Sequence, residues 1–348
     1  MTDEAAAVHP GIRRLLSFDD MNPHSAEAHH AHPVLDAAAL GQAPVAVTLL
    51  GDDFVLWRDA GGVVRAAPDR CPHRGTRLSL GRVCAGELEC AYHGWRFAGD
   101  GRCIAIPALP DFQPPASHGL ATVRATEAFG LLWLQLRGDA SPLPAFAGEA
   151  DARLRKLTVG PYDVQTSAGR IVENFLDLAH FGLVHDGWLG DRDHLALADY
   201  TVTATAQGFV ASGCRAWQPQ SNRLARGGSL VSYRYELSAP FAAVLTKLPE
   251  AQDGYRDEIA LFVCPAEAER SRVWFRLAVT DHDSSDDELR AFQHTIFMQD
   301  RPVLESQRPK RLPLSTTASG GEVHCAADRS SAVYRRHLID RGITYGTE

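Results

Sequence analysis

Two short boxes constrain this chain more than anything else in it: Cys71-Pro72-His73-Arg74-Gly75 and Cys90-Ala91-Tyr92-His93-Gly94-Trp95. Each supplies one thiolate and one imidazole, in the order C-x-H, sixteen residues, C-x-x-H. Two sulfurs can hold a ferric iron. Two neutral imidazoles can hold a second iron with less negative charge, which raises the reduction potential above that of an all-cysteine cluster. The glycines in each box let the backbone come close to the cluster sulfurs. A structural zinc site uses the same residue types, but it usually pairs like with like, C-x₂₋₄-C and H-x₃₋₅-H; here each pair is mixed.

Around the boxes the chain reads as short strands. Val45, Val47 and Leu49 alternate, Gly51-Asp52-Asp53 makes a turn, and Phe54 and Leu56 continue. Ala60-Gly61-Gly62 marks another turn, Phe129 to Leu136 a further apolar strand, and Ser141-Pro142-Leu143-Pro144 a linker. A chain of 348 residues exceeds what one hydrophobic core supports. Three segments are therefore expected: an extension over 1–32, an all-β domain over 33–145 and a second domain over 146–348. Within the extension, His24, His29, His30 and His32 read as exposed histidines near a loose end. In the second domain, Glu258 to Val263 and Arg272 to Val279 have the character of strands, and Ser285-Asp286-Asp287-Glu288 is a capping box that starts a helix.

A second constellation lies between Glu173 and His185. Asp177 and His180 are three apart and are expected on one helix face. The aspartate can take the proton on one ring nitrogen and leave the other free to ligate. His185 falls off that face, and Gly182 is expected to end or bend the helix so that both imidazoles meet. Two histidines need a carboxylate to make a facial triad that binds Fe(II) and leaves positions open for O₂. Asp300 is the candidate. The apolar stripe of the helix from Ser285 runs Leu289, Phe292, Ile296, and Asp300 continues it. A buried carboxylate needs a compensating charge. Pro302 is expected to bend or end the helix just beyond, and Glu305 is the competing carboxylate. Two histidines and an aspartate also occur as purely structural groups.

Composition narrows the class. The chain is 45% hydrophobic and 22% charged, as soluble globular proteins are, and no apolar run approaches a membrane span. A basic segment followed by an apolar one is missing near Met1, so no secretory signal is expected. A formal charge of −8 argues against non-specific nucleic-acid binding. Seven scattered cysteines do not suit a disulfide framework; they suit a reducing cytoplasm with some thiols used as ligands. Neither G-x-G-x-x-G nor G-x-x-x-x-G-K-[ST] occurs, so a built-in nicotinamide, flavin or ATP site has no support.

Over about residues 33–137 the chain resembles the Rieske family. Respiratory members carry an extra cysteine in each box; here Gly75 and Thr76 follow the first and Trp95 the second, which points to the oxygenase or ferredoxin branch. Asn174 to His185, with Gln299-Asp300 and Glu305-Ser306-Gln307 downstream, resembles the catalytic domain of Rieske oxygenases. The likeness is greatest to the single-subunit group of phthalate dioxygenase and the aromatic O- and N-demethylases. His30-Ala31-His32-Pro33 stands where that group commonly has a Trp-rich stretch.

The resemblance implies an α+β protein: an all-β Rieske [2Fe–2S] domain, then a catalytic domain with a large antiparallel sheet. It implies a cluster on Cys71, His73, Cys90 and His93, and a mononuclear Fe(II) on His180, His185 and Asp300, with O₂ as co-substrate. It implies a homotrimer in which Asp177 joins His180 to the partner subunit's His93. Electrons would come from NADH or NADPH through a separate flavin- and iron–sulfur-containing reductase or a ferredoxin. The product would be a hydroxylated or demethylated small molecule, aromatic or heterocyclic, from aromatic catabolism. Ring cis-dihydroxylation, or electron transfer without oxygenase activity, are the alternatives. Asn174, Leu178 and Phe181 are pocket candidates by proximity, and Trp217, Phe241 and Phe262 could line a pocket from their strands. Arg74, Arg77 and Arg96, beside the cluster loops, are expected to steer an acidic electron donor.

Overall fold

The structure, a computed structural model, describes residues 26–315 and 321–348, so His24 lies outside the described residues. Three small antiparallel sheets build the N-terminal part. The first joins β1 (His32–Asp36), β10 (Leu131–Gln135) and β9 (Arg124–Ala128). The second joins β2 (Val45–Leu49), β3 (Asp52–Arg58) and β4 (Val64–Pro68). The third joins β5 (Arg82–Cys84), β6 (Glu87–Glu89), β7 (Arg96–Phe97) and β8 (Cys103–Ala105).

The β2–β3 hairpin turns one residue earlier than expected. Leu50 (φ 53°) and Gly51 (φ 83°) form the turn, and Asp52 and Asp53 belong to β3. Two positive φ angles match the twist of a two-residue hairpin. The N–H groups of Leu50 and Gly51 donate to the carbonyls of Pro265 and Ala266, which holds the leucine in that conformation and ties the hairpin to the second domain. Phe129 (φ 57°) and Gly130 (φ 74°) make a similar turn, so the last apolar strand starts at Leu131 and not at Phe129. Residues 26–32 are not a loose extension. Ala26–His29 is a 3₁₀ turn, and His32, which opens β1, is buried with its Nε2 2.8 Å from the Glu27 carbonyl.

The second part is built on a seven-stranded antiparallel sheet. Its order is β11 (Arg155–Val164), β17 (Arg270–Val279), β16 (Asp257–Glu267), β15 (Ala242–Pro249), β14 (Ser229–Ala239), β13 (Phe209–Gln218) and β12 (Thr201–Ala204). The strand segments expected at 258–263 and 272–279 fall within β16 and β17. These strands read as almost continuous apolar runs because both faces of the sheet are covered. Ala260, Phe262, Cys264 and Trp274 pack against Leu49 and Leu131 to Leu134 of the N-terminal sheets. Tyr235, Leu245, Leu261 and Phe275 face the helices.

The helices are α1 (Ala147–Ala150), α2 (Ala168–Phe175), α3 (Phe181–Val184), α4 (Asp286–Ser306) and α5 (Arg329–Asp340). The capping box starts α4 as expected: Glu288 N–H donates to Ser285 Oγ at 3.2 Å, and Ser285 N–H donates to Glu288 Oε2 at 2.9 Å. Pro302 does not end the helix, which runs on to Ser306. The proline removes one backbone donor, but the last turn is held by buried Leu304 and by Glu305, whose Oε1 accepts Gln165 N–H and Arg301 Nε–H, each at 3.1 Å. The buried stripe of α4 is Leu289, Gln293, Ile296, Phe297, Asp300 and Leu304, with Phe292 only half-buried beside it. No helix among the described residues is long and apolar enough to cross a membrane.

Candidate metal centres and an apolar cavity

The two boxes fold as twins despite their unequal spacing. Cys71 N–H donates to Thr76 O at 2.8 Å and Gly75 N–H to Cys71 O at 2.9 Å; Cys90 N–H donates to Trp95 O at 2.9 Å and Gly94 N–H to Cys90 O at 3.0 Å. Gly75 and Gly94 close these turns with φ of 72° and 68°, where a side chain is costly. Cys71 and Cys90 are buried, and the rings of His73 and His93 lie 4.5 Å apart. Burial pushes the Cys71 thiol up to about 12, and the Cys90 thiol beside it adds to the rise. His73 Nδ1 is buried without a hydrogen-bond partner. An orphaned ring nitrogen costs free energy unless something takes its lone pair, and a metal does. Paired thiols and paired imidazoles of this kind fit a two-iron cluster. Trp95 stacks on His73 at 4.6 Å, and His118 stacks on Trp95 at 5.3 Å.

Asp177 and His180 do not share a helix face. α2 ends at Phe175 and α3 begins at Phe181, leaving an irregular turn between them. Asp177 Oδ1 accepts Ala179 N–H at 2.9 Å, and Oδ2 accepts His180 Nδ1–H at 3.0 Å. One carboxylate thus ties the turn and fixes the imidazole. Gly182 does not bend a helix either. It sits inside α3, where a Cβ would stand 2.5 Å from Leu195 Cδ2 and 2.7 Å from the Asp191 carbonyl oxygen. The missing side chain lets the following loop fold back onto α3.

His185 is oriented by a residue the sequence reading did not assign. Its Nδ1–H donates to Gln299 Oε1 at 2.8 Å, one position before Asp300 on α4. With both Nδ1 atoms committed, both Nε2 lone pairs turn to one point. His180 Nε2 and His185 Nε2 are 3.2 Å apart, and Asp300 Oδ1 is 3.4 and 3.3 Å from them. Three electron-pair donors this close repel unless a cation lies among them. Without an ion, a proton plays that part. Burial opposes charge on His180, yet hydrogen bonds to Asp177 and Asp300 raise its pKa to about 9. Burial likewise opposes charge on Asp300, but His180 and His185 hold its carboxyl down at about 2. A divalent ion would satisfy all three groups at once. Among the described residues, this is the one group of three or more such ligands converging within 4.8 Å. Glu305 is engaged elsewhere, with Gln165 and Arg301.

The trio forms part of the wall of a cavity between α4 and the sheet, with an empty volume of about 700 Å³. Alternate residues of the sheet line it: Tyr233 and Tyr235 of β14, Leu245 and Lys247 of β15, Ile259 and Leu261 of β16, and Phe275 of β17. The helices add Asn174, Phe181, Phe292, Gln293 and Phe297. Of the three pocket candidates, Asn174 and Phe181 line this cavity. Leu178 does not: it is 3% exposed and packs into the core. Trp217 stacks on His194 at 5.1 Å, Phe241 lies 6.0 Å from His32, and Phe262 packs on the opposite face of the sheet with Phe129 and Trp133. The signal that could have found the sheet side is Lys247. It is the one charged residue of its strand, two positions from Leu245, so both face the same side.

On the other side of the trio, Asn174 and His180 also line a more open cavity with Arg170, Glu173, Asp177 and Gln307. Beside the cluster loops, Arg77 pairs with Asp53 and Arg96 with Glu87, while Arg74 is exposed.

Comparison with known proteins gives the same two halves. Residues 30–123 match the Rieske [2Fe–2S] domain, and residues 164–340 match the vanillate O-demethylase oxygenase C-terminal domain. The chain is 31% identical over 321 residues to the methylxanthine N1-demethylase NdmA of Pseudomonas putida, covering 89% of this chain and 88% of the relative. The structure of NdmA from Pseudomonas putida CBB5 with caffeine superposes with a TM-score of 0.79 at 29% identity, over 90% of each chain. A 90-residue stretch, 26% of this chain, is 44% identical to part of the oxidoreductase NdmD of Pseudomonas putida, covering 15% of that protein. The chain belongs to the Rieske non-haem iron oxygenases, in the group with a vanillate O-demethylase-type catalytic domain, and it carries their [2Fe–2S] cluster and mononuclear iron.

Proposed function

We propose that this oxygenase removes a methyl group oxidatively from nitrogen or oxygen on a small heterocyclic or aromatic molecule. One observation carries the reading: His180 Nε2, His185 Nε2 and Asp300 Oδ1 converge on the wall of a largely apolar cavity. The relatives NdmA and NdmB, named as methylxanthine demethylases, support the substrate class. In this reading Cys71, Cys90, His73 and His93 hold the cluster, and His180, His185 and Asp300 hold the iron.

The iron, when bound, supplies O₂ activation with electrons delivered from the cluster. The chain's own residues do the rest. Asp177 and Gln299 hold a proton on each Nδ1 and so keep both Nε2 atoms available. Phe181, Phe275 and Phe297 exclude water from the reacting methyl group. One oxygen atom leaves in formaldehyde and the other in water, consuming two electrons and two protons. A separate NAD(P)H-dependent reductase would provide the electrons.

Two further features belong to the proposal. The open cavity beside Asp177 and the exposed tip at His93 suit a homotrimer in which one subunit's cluster meets the next subunit's iron. Seven unpaired cysteines suit a reducing cytoplasm.

The test is turnover with a surrogate reductase and NADH against a panel of N- and O-methylated ring compounds, measuring formaldehyde. Stoichiometric formaldehyde and a demethylated ring are expected. A cis-diol with both oxygen atoms in the product would replace this reading by dihydroxylation. NADH oxidation without O₂ incorporation, across the panel, would leave an electron carrier.

A further inference from the structure

The cavity beside the trio contains a cation that the mechanism does not use. Lys247 is 5% exposed, lies on β15, and faces the cavity in register with Tyr233 on one side and Asp257 on the other. Its Nζ donates to the Ser221 carbonyl. An ammonium has three N–H donors, and the other two find no hydrogen-bond acceptor among the described residues. Asp257 is a cross-strand neighbour without being an ion-pair partner, and its own Oδ1 is buried without a hydrogen bond. Burial lowers the Lys247 pKa to about 8 against the opposing pull of Asp257, so the side chain is still mostly charged at neutral pH. A buried charge with unused donors is costly unless a partner arrives.

The position of Lys247 relates that partner to the reaction. Tyr233, its cross-strand neighbour, has its ring 5.8 Å from that of Phe181, and the Phe181 ring is 5.0 Å from that of His180. Tyr233 and Phe181 thus lead, neighbour to neighbour, from the strand position of Lys247 to the trio along the cavity wall. A planar ring lying along them would present one edge to Lys247 and the opposite edge to the iron ligands.

We infer that Lys247 is a specificity-determining residue that selects planar substrates carrying an acceptor oxygen, as a ring carbonyl or a carboxylate, on the edge opposite the methyl group. The inference rests on the proposed reading of this cavity as the substrate site, but its test does not depend on turnover.

The test is binding to oxidised, iron-loaded enzyme without reductant, by calorimetry. Caffeine carries ring carbonyls, 4-methoxybenzoate carries a carboxylate, and N-methylindole has the ring and the methyl group without an acceptor oxygen. Lys247→Met should weaken whichever oxygen-bearing probe binds by on the order of ten-fold or more, and leave N-methylindole unchanged. Lys247→Gln keeps a donor for the Ser221 carbonyl and guards against loss of fold. A loss confined to 4-methoxybenzoate in this variant identifies the carboxylate; a smaller, shared loss identifies the carbonyl. The inference is overturned if both variants bind the oxygen-bearing probes as the parent does, while only their melting temperature falls. It is overturned equally if the parent enzyme takes up neither oxygen-bearing probe, or prefers N-methylindole. Formaldehyde release tests the demethylase reading separately, so either reading can fail while the other stands.

Discussion

The two regions proposed to hold iron solve one problem in opposite ways. Each must hold two imidazoles close together without letting them hydrogen-bond away their ligand atoms. The cluster boxes do it locally. Each closes a loop from its own backbone, Cys71 to Thr76 and Cys90 to Trp95, with a left-handed glycine at the end. The mononuclear site does it at long range. His180 and His185 come from either end of a single helical turn, but their orientation depends on Asp177 and on Gln299, the latter 114 residues downstream of His185 on α4. A local solution tolerates exposure, and His93 is exposed at its loop tip. The long-range solution needs a buried frame, and His185 is 1% exposed.

The sharpest way to break this comparison is to remove the buried ligands. His180→Ala, His185→Ala or Asp300→Ala should each lose the mononuclear iron and essentially all turnover, while the visible and resonance spectra of the cluster stay intact. The whole enzyme should carry two cluster irons plus one mononuclear iron. Iron analysis on the three variants checks both statements. If Glu305→Ala lost iron and Asp300→Ala kept it, the carboxylate would be misassigned.

Next come the residues that orient the imidazoles. Gln299→Leu removes the acceptor for His185 Nδ1–H and frees the ring to take the wrong tautomer. Iron affinity should fall about 10- to 100-fold, read by chelator competition, with activity recovering at high iron. Asp177→Asn removes charge at the other imidazole and leaves the size unchanged. It should keep its cluster and most of its iron and turn over about 10- to 100-fold more slowly. The informative readout is single turnover. With both sites filled and the variant fully reduced, cluster reoxidation after substrate and O₂ should be slow. Reoxidation at the parent rate would show that Asp177 only fixes His180, and is no path between subunits.

The same contrast explains what was legible in the sequence. The cluster boxes are contiguous, and the geometry of their paired turns is set by residues within the boxes, so local sequence carries most of it. The convergence of Asp300 with the two histidines is foreshadowed by a carboxylate lying on a buried stripe. The three-residue spacing from Asp177 to His180 fits a helix, yet the Asp177 side chain builds an irregular turn by capping Ala179 N–H. Gln299 and the cavity floor were out of reach for a different reason. Their roles follow from which face of α4 or of the sheet meets the cavity; β15 and β16, buried on both faces, carry little alternation to show it, whereas β14 alternates but does not say what its buried face meets. Phe262 and Leu245 look alike in the sequence yet lie on opposite faces.

Gly182→Ala tests the frame rather than the ligands. The added Cβ would press within 2.5 Å of Leu195 Cδ2 and 2.7 Å of the Asp191 carbonyl. The leucine can shift; the backbone carbonyl cannot do so cheaply. Overpacking of this kind costs about 1–3 kcal/mol, so thermal unfolding should move down by several degrees. Iron should bind more weakly in step, because α3 separates the two histidines. A matching change at a cluster-loop glycine, Gly94→Ala, should shift cluster stability and leave mononuclear iron alone.

The smallest effects are expected at the charged rim of the cluster loops, where the three arginines are no longer equivalent. Arg77 is paired with Asp53 and Arg96 with Glu87, so much of each charge is already balanced within the chain. Exposed pairs of this kind contribute little to stability and are screened by salt, and they project little field toward an incoming partner. Arg74 is exposed on the first box, next to His73. If an acidic electron donor docks at this tip, Arg74→Glu should slow cluster reduction a few-fold at low ionic strength, and the difference should vanish at high salt. Arg96→Glu should do less, because the charge it removes is already balanced by Glu87. Stopped-flow reduction by the cognate reductase across a salt series separates the cases. Equal rates for Arg74→Glu and the parent at low salt would mean that the donor is steered by some other surface.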